Sequence, residues 1–265
     1  MVSIVVKKQM QEILNKYYSK TGHCQLCPLA NKEGVIHFYN CSSDQNKILI
    51  FQNPKEGRSE EDKERSMRIK DSMMKRDLDE LVEVSQKAFV EWKTNFFPRF
   101  FRVLKKHNLV DFETFDKYML TRNLFRDFYI TDVVKCVAQT KAIYGKPELY
   151  CSEYLKGELF EKISRTQKKR LLIVTFGNVA YRFFHKSKIF KLRKVNQKSE
   201  LPPKVTKRNG YLHLYTCEST EGGKKELYVI HLTHLSERAR IFTLRESYFD
   251  YLEEGLQSYR ELAHS

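Results

Sequence analysis

The chain has 265 residues, of which 41% are hydrophobic and 13% aromatic, so it can bury a sizeable core and is not intrinsically disordered. Its formal net charge of +15 favours a surface that binds phosphate groups over one that only maintains solubility. No apolar run reaches the roughly 18 residues of a transmembrane helix, and the apolar start MVSIVV is too short for a secretory signal, so we expect a cytoplasmic protein that does not enter a membrane.

The first half of the chain is predicted to be mainly helical. Apolar residues at helical spacing predict a helix over residues 5–20. The run KILIFQ predicts a buried strand over 47–52, which ends at Asn53-Pro54 because proline cannot continue a central strand. An acid-rich loop over 55–66 is predicted next, and then helices over 67–93, 97–107 and 112–122.

Strands and helices alternate in the second half. The predicted strands lie at 129–134, 171–176, 211–217 and 226–233, and the predicted helices at 150–165, 178–186 and about 245–262. Gly177 is expected to turn the chain from a buried strand into a helix. This alternation indicates an α/β domain with a mostly parallel central sheet.

Four of the six cysteines form a pattern with metal-binding character. Cys24 and Cys27 are a CxxC pair, Cys136 follows much later, and Cys151 comes fifteen residues after it. A single CxxC pair occurs in zinc sites, in redox motifs and by chance, and no second close pair completes a zinc ribbon. Four thiolates spread over three segments also suit an iron–sulfur cluster. Zinc held by the same ligands and four unrelated buried cysteines are the alternatives.

Six segments carry a resemblance to a known family. In chain order they are GHCQLCPL, ILIFQNPKEGRSEED, YITDVVKC, ELYCSEYLKGEL, RLLIVTFGNVAYRFF and YVIHLTHLSERA, which together span about residues 22–245. With these segments the chain resembles the iron–sulfur, thermophile-type (family 4-like) branch of the uracil-DNA glycosylase superfamily.

The resemblance implies a fold and a cofactor. The fold would be a single three-layer α/β/α domain over residues 1–265, with a central, mostly parallel, four-stranded sheet. A helical insertion would lie at about 63–125 and a basic arm at 186–210. The resemblance also implies that four cysteines hold a structural [4Fe–4S] cluster, namely Cys24, Cys27, Cys136 and Cys151. Cys41 and Cys217 have no counterpart in the family and are expected to be ordinary core or surface thiols.

The same resemblance implies a monofunctional DNA glycosylase, which flips a base out of the helix, cuts its N-glycosidic bond and leaves an abasic site. Gln52 and Asn53 fall where the superfamily holds the attacking water, although the thermophile-type branch usually has Gly-Glu-x-Pro-Gly there and Asn-Pro is also a common turn. His234 falls on the histidine of the His-Pro-Ser motif and would donate to the base O2 as the base leaves as an anion. His231 takes this role if the register slips.

Position 132 determines which base the pocket is expected to read. The family has Asn there, whereas this chain has Asp132. A carboxylate accepts a hydrogen bond from the amino group of cytosine, and a protonated carboxyl group would match both cytosine edge atoms. We therefore expect a cytosine-type base, modified rather than ordinary, in DNA repair or antiviral defence. Capping of a turn is the alternative role for Asp132. Phe97, with Phe96 and Phe100 as alternatives, is the candidate ring that stacks on the base.

Two segments are expected to contact DNA, and we expect the protein to act on it as a monomer. Residues 186–208 hold nine Lys/Arg and one acid, and we select Lys191, Arg193 and Lys194 as phosphate contacts. The segment after His234, where the family inserts a loop into DNA, supplies further candidates, namely Leu235 as a wedge, Ser236, Arg238 and Arg240. Because several motifs depart from the family pattern, the alternative function is a catalytically inactive nucleic-acid-binding protein that keeps the glycosylase fold.

Overall fold

The computed structural model describes residues 1–21, 24–25, 27, 34–42, 45–51, 60–91, 96–138, 148–186, 190–193, 212–218, 223–232 and 246–264. The helices are α1 (Ile4–Ser19), α2 (Glu60–Lys75), α3 (Leu78–Glu91), α4 (Phe96–Lys106), α5 (Phe115–Leu120), α6 (Leu124–Asp127), α7 (Glu148–Arg165), α8 (Asn178–Lys186) and α9 (Glu246–His264). The strands are β1 (Gly34–Ile36), β2 (Lys47–Phe51), β3 (Tyr129–Asp132), β4 (Cys136–Ala138), β5 (Arg170–Phe176), β6 (Lys191–Arg193), β7 (Leu212–Glu218) and β8 (Lys224–Leu232). None of these helices combines the length and the apolar composition that crossing a membrane requires.

The main sheet has the strand order β3-β2-β5-β8-β7-β6. The four strands β3, β2, β5 and β8 pair in parallel, which confirms the predicted mostly parallel sheet. The antiparallel strands β7 and β6 extend it to six strands, two more than the four predicted. The sequence did not indicate β6, because three residues are too few to show an alternating pattern. A separate two-stranded sheet, β1 with β4, was not predicted either.

Helices cover both faces of the sheet and give the predicted three layers. Alternate side chains of β2 separate to the two sides, with Leu49 and Phe51 on one and Ile48 and Ile50 on the other. We call the first side the insertion face, because it packs against α3 to α6 and α9. The second side, the α7–α8 face, packs against α7 and α8. Among the described residues, the sheet separates the two hydrophobic clusters, as in other three-layer folds.

The predicted single helix over 67–93 is wrong, because the chain forms two helices there. Arg76 adopts a left-handed conformation with φ of 55°, which ends α2. Asp77 then begins α3 by accepting a hydrogen bond from the Glu80 amide at 3.0 Å. The predicted acid-rich loop over 55–66 is also partly wrong, since residues 60–66 belong to α2. Their acidic side chains, including Glu60 and Glu61, lie in the first turn of α2, where the helix dipole favours negative charge.

The outer edge of β3 is closed by one side chain instead of another strand. The Asn40 amide nitrogen donates to the Ile130 carbonyl at 2.7 Å, and its oxygen accepts from the Ile130 amide at 2.8 Å. Both residues are buried. The segment that carries Asn40 is held in turn by the Gln86 amide, which donates to the Tyr39 carbonyl at 2.7 Å. Asn40 thus satisfies the backbone groups that a neighbouring strand would otherwise pair with.

Replacing Asn40 tests this edge closure. The substitution Asn40→Ala would leave a buried backbone donor and a buried acceptor without partners, so we expect the free energy of unfolding to fall by about 2 to 4 kcal/mol. Urea denaturation measures the loss. Asn15→Ala on the exposed side of α1 is the control and should change stability by less than about 0.5 kcal/mol. Equal stability of the two variants would contradict the proposed role of Asn40.

Candidate active site

The carboxyl ends of four parallel strands meet at one edge of the sheet. Phe51 at the end of β2 is in register with Asp132 at the end of β3, and Phe176 at the end of β5 is in register with Leu232 at the end of β8. From β2 the chain continues to β3 on one side, whereas β5 lies on the other side of β2. In open α/β sheets, ligands bind at the carboxyl edge where the strand order reverses in this way. We call this region the carboxyl edge.

A glycine shapes the turn at this edge. Gly177 has φ of 98°, a conformation that side chains disfavour, and it directly precedes α8. Its amide donates to the Leu232 carbonyl at 2.8 Å, which ties the ends of β5 and β8 together. This confirms the predicted role of Gly177 in turning a buried strand into a helix.

Several predicted site residues lie outside the described residues. They are Gln52, Asn53, Lys194, His234, Leu235, Ser236, Arg238 and Arg240. Gln52 and Asn53 directly follow Phe51 in the chain, and His234 comes two residues after Leu232. Phe51 and Leu232, the last described residues before these two segments, lie at the carboxyl edge, and the roles of the predicted site residues stay predictions.

Asp132 is a buried carboxylate at the carboxyl edge. Only 3% of it is exposed, and it shares the insertion face with Phe51. The hydroxyl of the buried Tyr39 donates a hydrogen bond to it. Burial, together with the charge and the hydrogen bond of Asp132, raises the pKa of Tyr39 well above its ordinary value, so Tyr39 remains a donor at any physiological pH. Asp132 therefore has a fixed partner on one side.

Aromatic rings line the insertion face beneath the carboxyl edge. Phe51 and Phe176 stack with their ring centroids 4.6 Å apart and their planes 10° apart. Phe97, the predicted stacking ring, is 1% exposed and packs against Phe51 and Phe89 at 6.3 and 5.6 Å. Phe100 is equally buried against Phe176. Phe97 thus lies on the insertion face, as Asp132 does, but it is a core residue. A base could reach the Phe97 ring only if the rings around it moved apart.

His231 lies on the opposite face of the sheet from Asp132. It is 1% exposed, and its Nδ1 lies 2.6 Å from the Thr175 hydroxyl oxygen. Thr175 is its register partner on β5, and the Phe184 ring of α8 packs beside it. Alternation along β8 places Leu232 on the insertion face and His231 on the α7–α8 face. The structure therefore does not bring His231 and Asp132 into one pocket.

Three of the four predicted metal-ligand cysteines lie in one buried group. Cys27, Cys136 and Cys151 pack together around Val134. Cys24 is linked to this group through its carbonyl, which accepts from the Cys27 amide at 3.3 Å. Its sulfur lies 3.4 Å from the Tyr154 hydroxyl of α7, one helical turn after Cys151. We call these four residues the cysteine group.

The cysteine group has the donor chemistry of a metal centre. All six cysteines are among the described residues and none forms a disulfide. A hydrogen bond with Cys136, together with burial, raises the pKa of Cys151 to about 12, while hydrogen bonds from Cys27 and the Lys135 amide oppose that rise. In the described part of the chain, no three His, Cys, Asp or Glu side chains are already arranged around a single metal ion. Thiolates are ligands of both zinc and iron–sulfur clusters, so the residue types suit either group.

The other two cysteines are separate from the cysteine group. Cys217 is buried in the core on the α7–α8 face, and Cys41 is half-buried beside α3, where the Gln86 amide lies 3.5 Å from its sulfur. Their positions match the expectation of ordinary core and surface thiols.

The predicted DNA-contacting arm is described only in part. Lys191 and Arg193 lie on β6, at the outer edge of the sheet, and Lys191 is exposed. β6 pairs antiparallel with β7, which pairs antiparallel with β8, so β6 runs in the same direction as β8. Arg193, the last residue of β6, therefore lies at the end of β6 that is nearer the carboxyl edge.

Sequence reasoning missed three residues of the site. Tyr39 contacts Asp132, and the buried side chains of Lys135 and Glu158 pair beside the cysteine group. Tyr39 belongs to no motif and shows no local signal. Lys135 did show a local signal in the sequence, because a lysine that directly follows the apolar run of a buried strand needs a partner for its charge.

These features define a class of protein. The fold has three layers, α/β/α, and the strand order of its central sheet reverses at β2. A buried acid lies at the carboxyl edge of this sheet, and the cysteine group follows it in the chain. The family model for the uracil DNA glycosylase superfamily matches residues 79–257, more than half of the chain, so the protein belongs to this superfamily. A search of curated proteins found no match. The matched region includes Asp132, Cys136, Cys151 and His234, and it begins after the first motif and the CxxC pair.

Proposed function

We propose that the protein is a monofunctional DNA glycosylase that removes a cytosine-type base from DNA. Superfamily membership supports glycosylase chemistry in general. The observation that supports the finer assignment is the buried carboxylate of Asp132 at the carboxyl edge. Ordinary cytosine occurs throughout DNA, and its removal would be toxic, so the expected target is a modified cytosine. Such an activity suits a cytoplasmic monomer in DNA repair or antiviral defence.

The Tyr39 hydroxyl supports reading of an amino group by Asp132. The Tyr39 hydroxyl donates to Asp132 and so holds the carboxyl group in place as a hydrogen-bond acceptor. A carboxylate offers about four acceptor sites, so it can also accept from the amino group at the cytosine 4-position. Uracil presents a carbonyl oxygen there, and two acceptors facing each other would repel. The contact therefore favours cytosine-type bases without requiring a protonated Asp132.

The proposed reaction breaks the bond between the base nitrogen and the sugar C1′ and adds water to C1′. Asn53, with Gln52, would position that water, and His234 would donate a hydrogen bond to the base O2. A donor at this oxygen stabilises the negative charge that develops on the departing base. These roles are supported by the resemblance of the two segments and by the position of Phe51 and Leu232, the last described residues before them, at the carboxyl edge.

Electrostatics supports DNA as the partner. The net charge of +15 and the basic residues of the predicted arm favour contact with phosphates, and Leu235, Ser236, Arg238 and Arg240 would meet DNA at the flipped base. Each phosphate contact releases counterions, so binding should weaken steeply with added salt.

We also propose that the cysteine group binds a [4Fe–4S] cluster. Its residues come from an N-terminal segment, from β4 and from α7, and the thiols of the last two already pack together. When bound, the cluster would supply a rigid cross-link between these three segments. The residues themselves would hold the N-terminal part of the chain against the sheet, near the edge where β3 presents Asp132.

Activity on a panel of oligonucleotides tests the proposed function. The panel contains uracil, cytosine and modified cytosines, and abasic sites are detected by cleavage in alkali. We expect abasic sites at one or more modified cytosines, and an activity about 10²- to 10³-fold lower for His234→Ala, because a donor to the leaving base is lost. Asn15→Ala should retain full activity. Salt-sensitive DNA binding without cleavage of any base would instead identify an inactive nucleic-acid-binding protein.

Asp132→Asn tests the base assignment separately. An amide can donate to the uracil O4 and accept from its N3–H, so this variant should gain activity on uracil relative to modified cytosine. The ratio of kcat/KM values for the two bases is the measurement. An unchanged ratio would show that Asp132 does not read the base.

Metal analysis after anaerobic purification tests the cofactor. We expect a brown protein with four irons per chain and a broad visible absorbance, and loss of both in Cys151→Ser. Cys217→Ser, which alters a thiol outside the cysteine group, should retain the iron. A colourless protein that contains zinc would show the alternative metal, and a folded protein without any metal would contradict the proposal.

A further inference from the structure

A buried ion pair joins the two elements that carry Cys136 and Cys151. The Lys135 ammonium contacts the Glu158 carboxylate, and the exposed fractions of their side chains are only 8% and 11%. The same ammonium donates to the Thr131 hydroxyl of β3. The other Glu158 oxygen accepts from the Tyr129 hydroxyl at 2.8 Å. Both charges are therefore paired and hydrogen-bonded inside the protein.

The two residues of the pair lie close to two of the predicted ligands along the chain. Lys135 immediately precedes Cys136, and Glu158 follows Cys151 by seven residues on α7. Seven residues are two helical turns, so Cys151 and Glu158 lie on the same side of α7. One ion pair thus connects the chain just before one predicted ligand to the helix that carries another.

Lys135 also acts on Cys151 through its backbone. Its amide N–H donates a hydrogen bond to the Cys151 sulfur and lowers the pKa of that thiol against the larger opposing effect of Cys136. Hydrogen bonds to ligand sulfurs are among the means by which proteins tune iron–sulfur clusters. Lys135 therefore contacts α7 twice, through its amide at Cys151 and through its ammonium at Glu158.

Stability alone does not account for a buried ion pair. Removing two charges from water costs several kcal/mol per ion, and an apolar pair of similar volume often stabilises a protein as well or better. A buried ion pair can instead fix the positions of the elements it joins, if further hydrogen bonds hold both charged groups. Lys135 and Glu158 each have such a further hydrogen-bond partner. A fixed position is what neighbouring metal ligands require.

We propose that Lys135 and Glu158 are a positioning pair for the cysteine group. The pair fixes the chain just before Cys136 relative to the helix that carries Cys151, and so keeps the two thiols side by side and the Lys135 amide on the Cys151 sulfur. This inference rests on the proposed cluster and adds two residues that touch neither the metal nor the DNA.

The charges of the pair give the inference a specific signature. In Lys135→Met, the Glu158 carboxylate remains beside the cluster without its cation, so the midpoint potential of the cluster should fall. In Glu158→Gln, the ammonium remains without its anion, so the midpoint potential should rise. The double variant should lie between the two. Loosening of the structure alone does not produce shifts of opposite sign.

The experiment compares purified, iron-loaded wild type with Lys135→Met, Glu158→Gln and the double variant. The rate of iron release to a chelator is followed by visible absorbance, and the midpoint potential by protein-film voltammetry. We expect each single variant to release iron about 10- to 100-fold faster, as for other residues that orient metal ligands. Lys156→Met is the matched control, because it breaks an exposed pair with Glu153 on the same helix and should change neither measurement.

The outcomes separate this inference from the cofactor proposal. Wild type that contains iron, together with variants that release it at the wild-type rate or whose potentials do not shift in opposite directions, would overturn the positioning role alone. Wild type without iron would overturn the cluster and this inference together.

If circular dichroism shows that one of the variants does not fold, the variant Thr131→Val decides the question. It removes one anchor of Lys135 and keeps the ion pair, and faster iron release from this variant supports the inference, whereas the wild-type rate contradicts it.

Discussion

Parallel pairing of β2 with β3 on one side and β5 on the other determines where this protein can act. It brings the ends of three strands to one edge and fixes which side chains face each layer. Asp132 and Phe51 are in register, so they share the insertion face, and the alternation along β8 sends His231 to the other face. A shift of β3 by one residue would move Asp132 out of this arrangement, because neighbouring residues of a strand point to opposite faces.

The cysteine group depends on the same strand. The chain reaches Cys136 four residues after Asp132, and Val133 is still tied to β2 through its amide, which donates to the Phe51 carbonyl at 2.9 Å. The candidate base reader and the candidate cluster ligand therefore lie at the two ends of one short segment. Three residues separate Asp132 from Cys136, so the proposed cluster would fix the chain close to the candidate base reader.

Local pattern predicted most of the elements around the site. Continuous apolar runs located β2, β3, β5 and β8, and helical spacing located α1, α4, α7 and α9, because burial on a strand or helix leaves a period in the sequence. Once the apolar runs had located β3 and β5, Asp132 and Gly177 could be assigned to the ends of these strands. The break at Arg76 was missed because apolar spacing continues across it, although a left-handed residue ends the helix.

Long-range polar contacts were beyond sequence reasoning. Asn40 and Ile130 are ninety residues apart, Tyr39 and Asp132 are similarly distant, and Lys135 meets Glu158 across an intervening segment. Such contacts have no period, and the residue types involved are common on surfaces. Only the fold decides that they are buried and paired.

The Asn40 amide has a consequence for how this sheet behaves towards other chains. An exposed strand edge invites pairing with a second molecule, which is a route to aggregation. At β3 that route is closed, because the Ile130 backbone groups are already bonded to Asn40. The opposite edge is β6, where Lys191 and Arg193 put positive charge on the strand, a common protection of edges. The lysine and arginine proposed to attract DNA thus also discourage edge-to-edge pairing with a second copy, so the same charges that would attract a polyanion help to keep the protein dispersed.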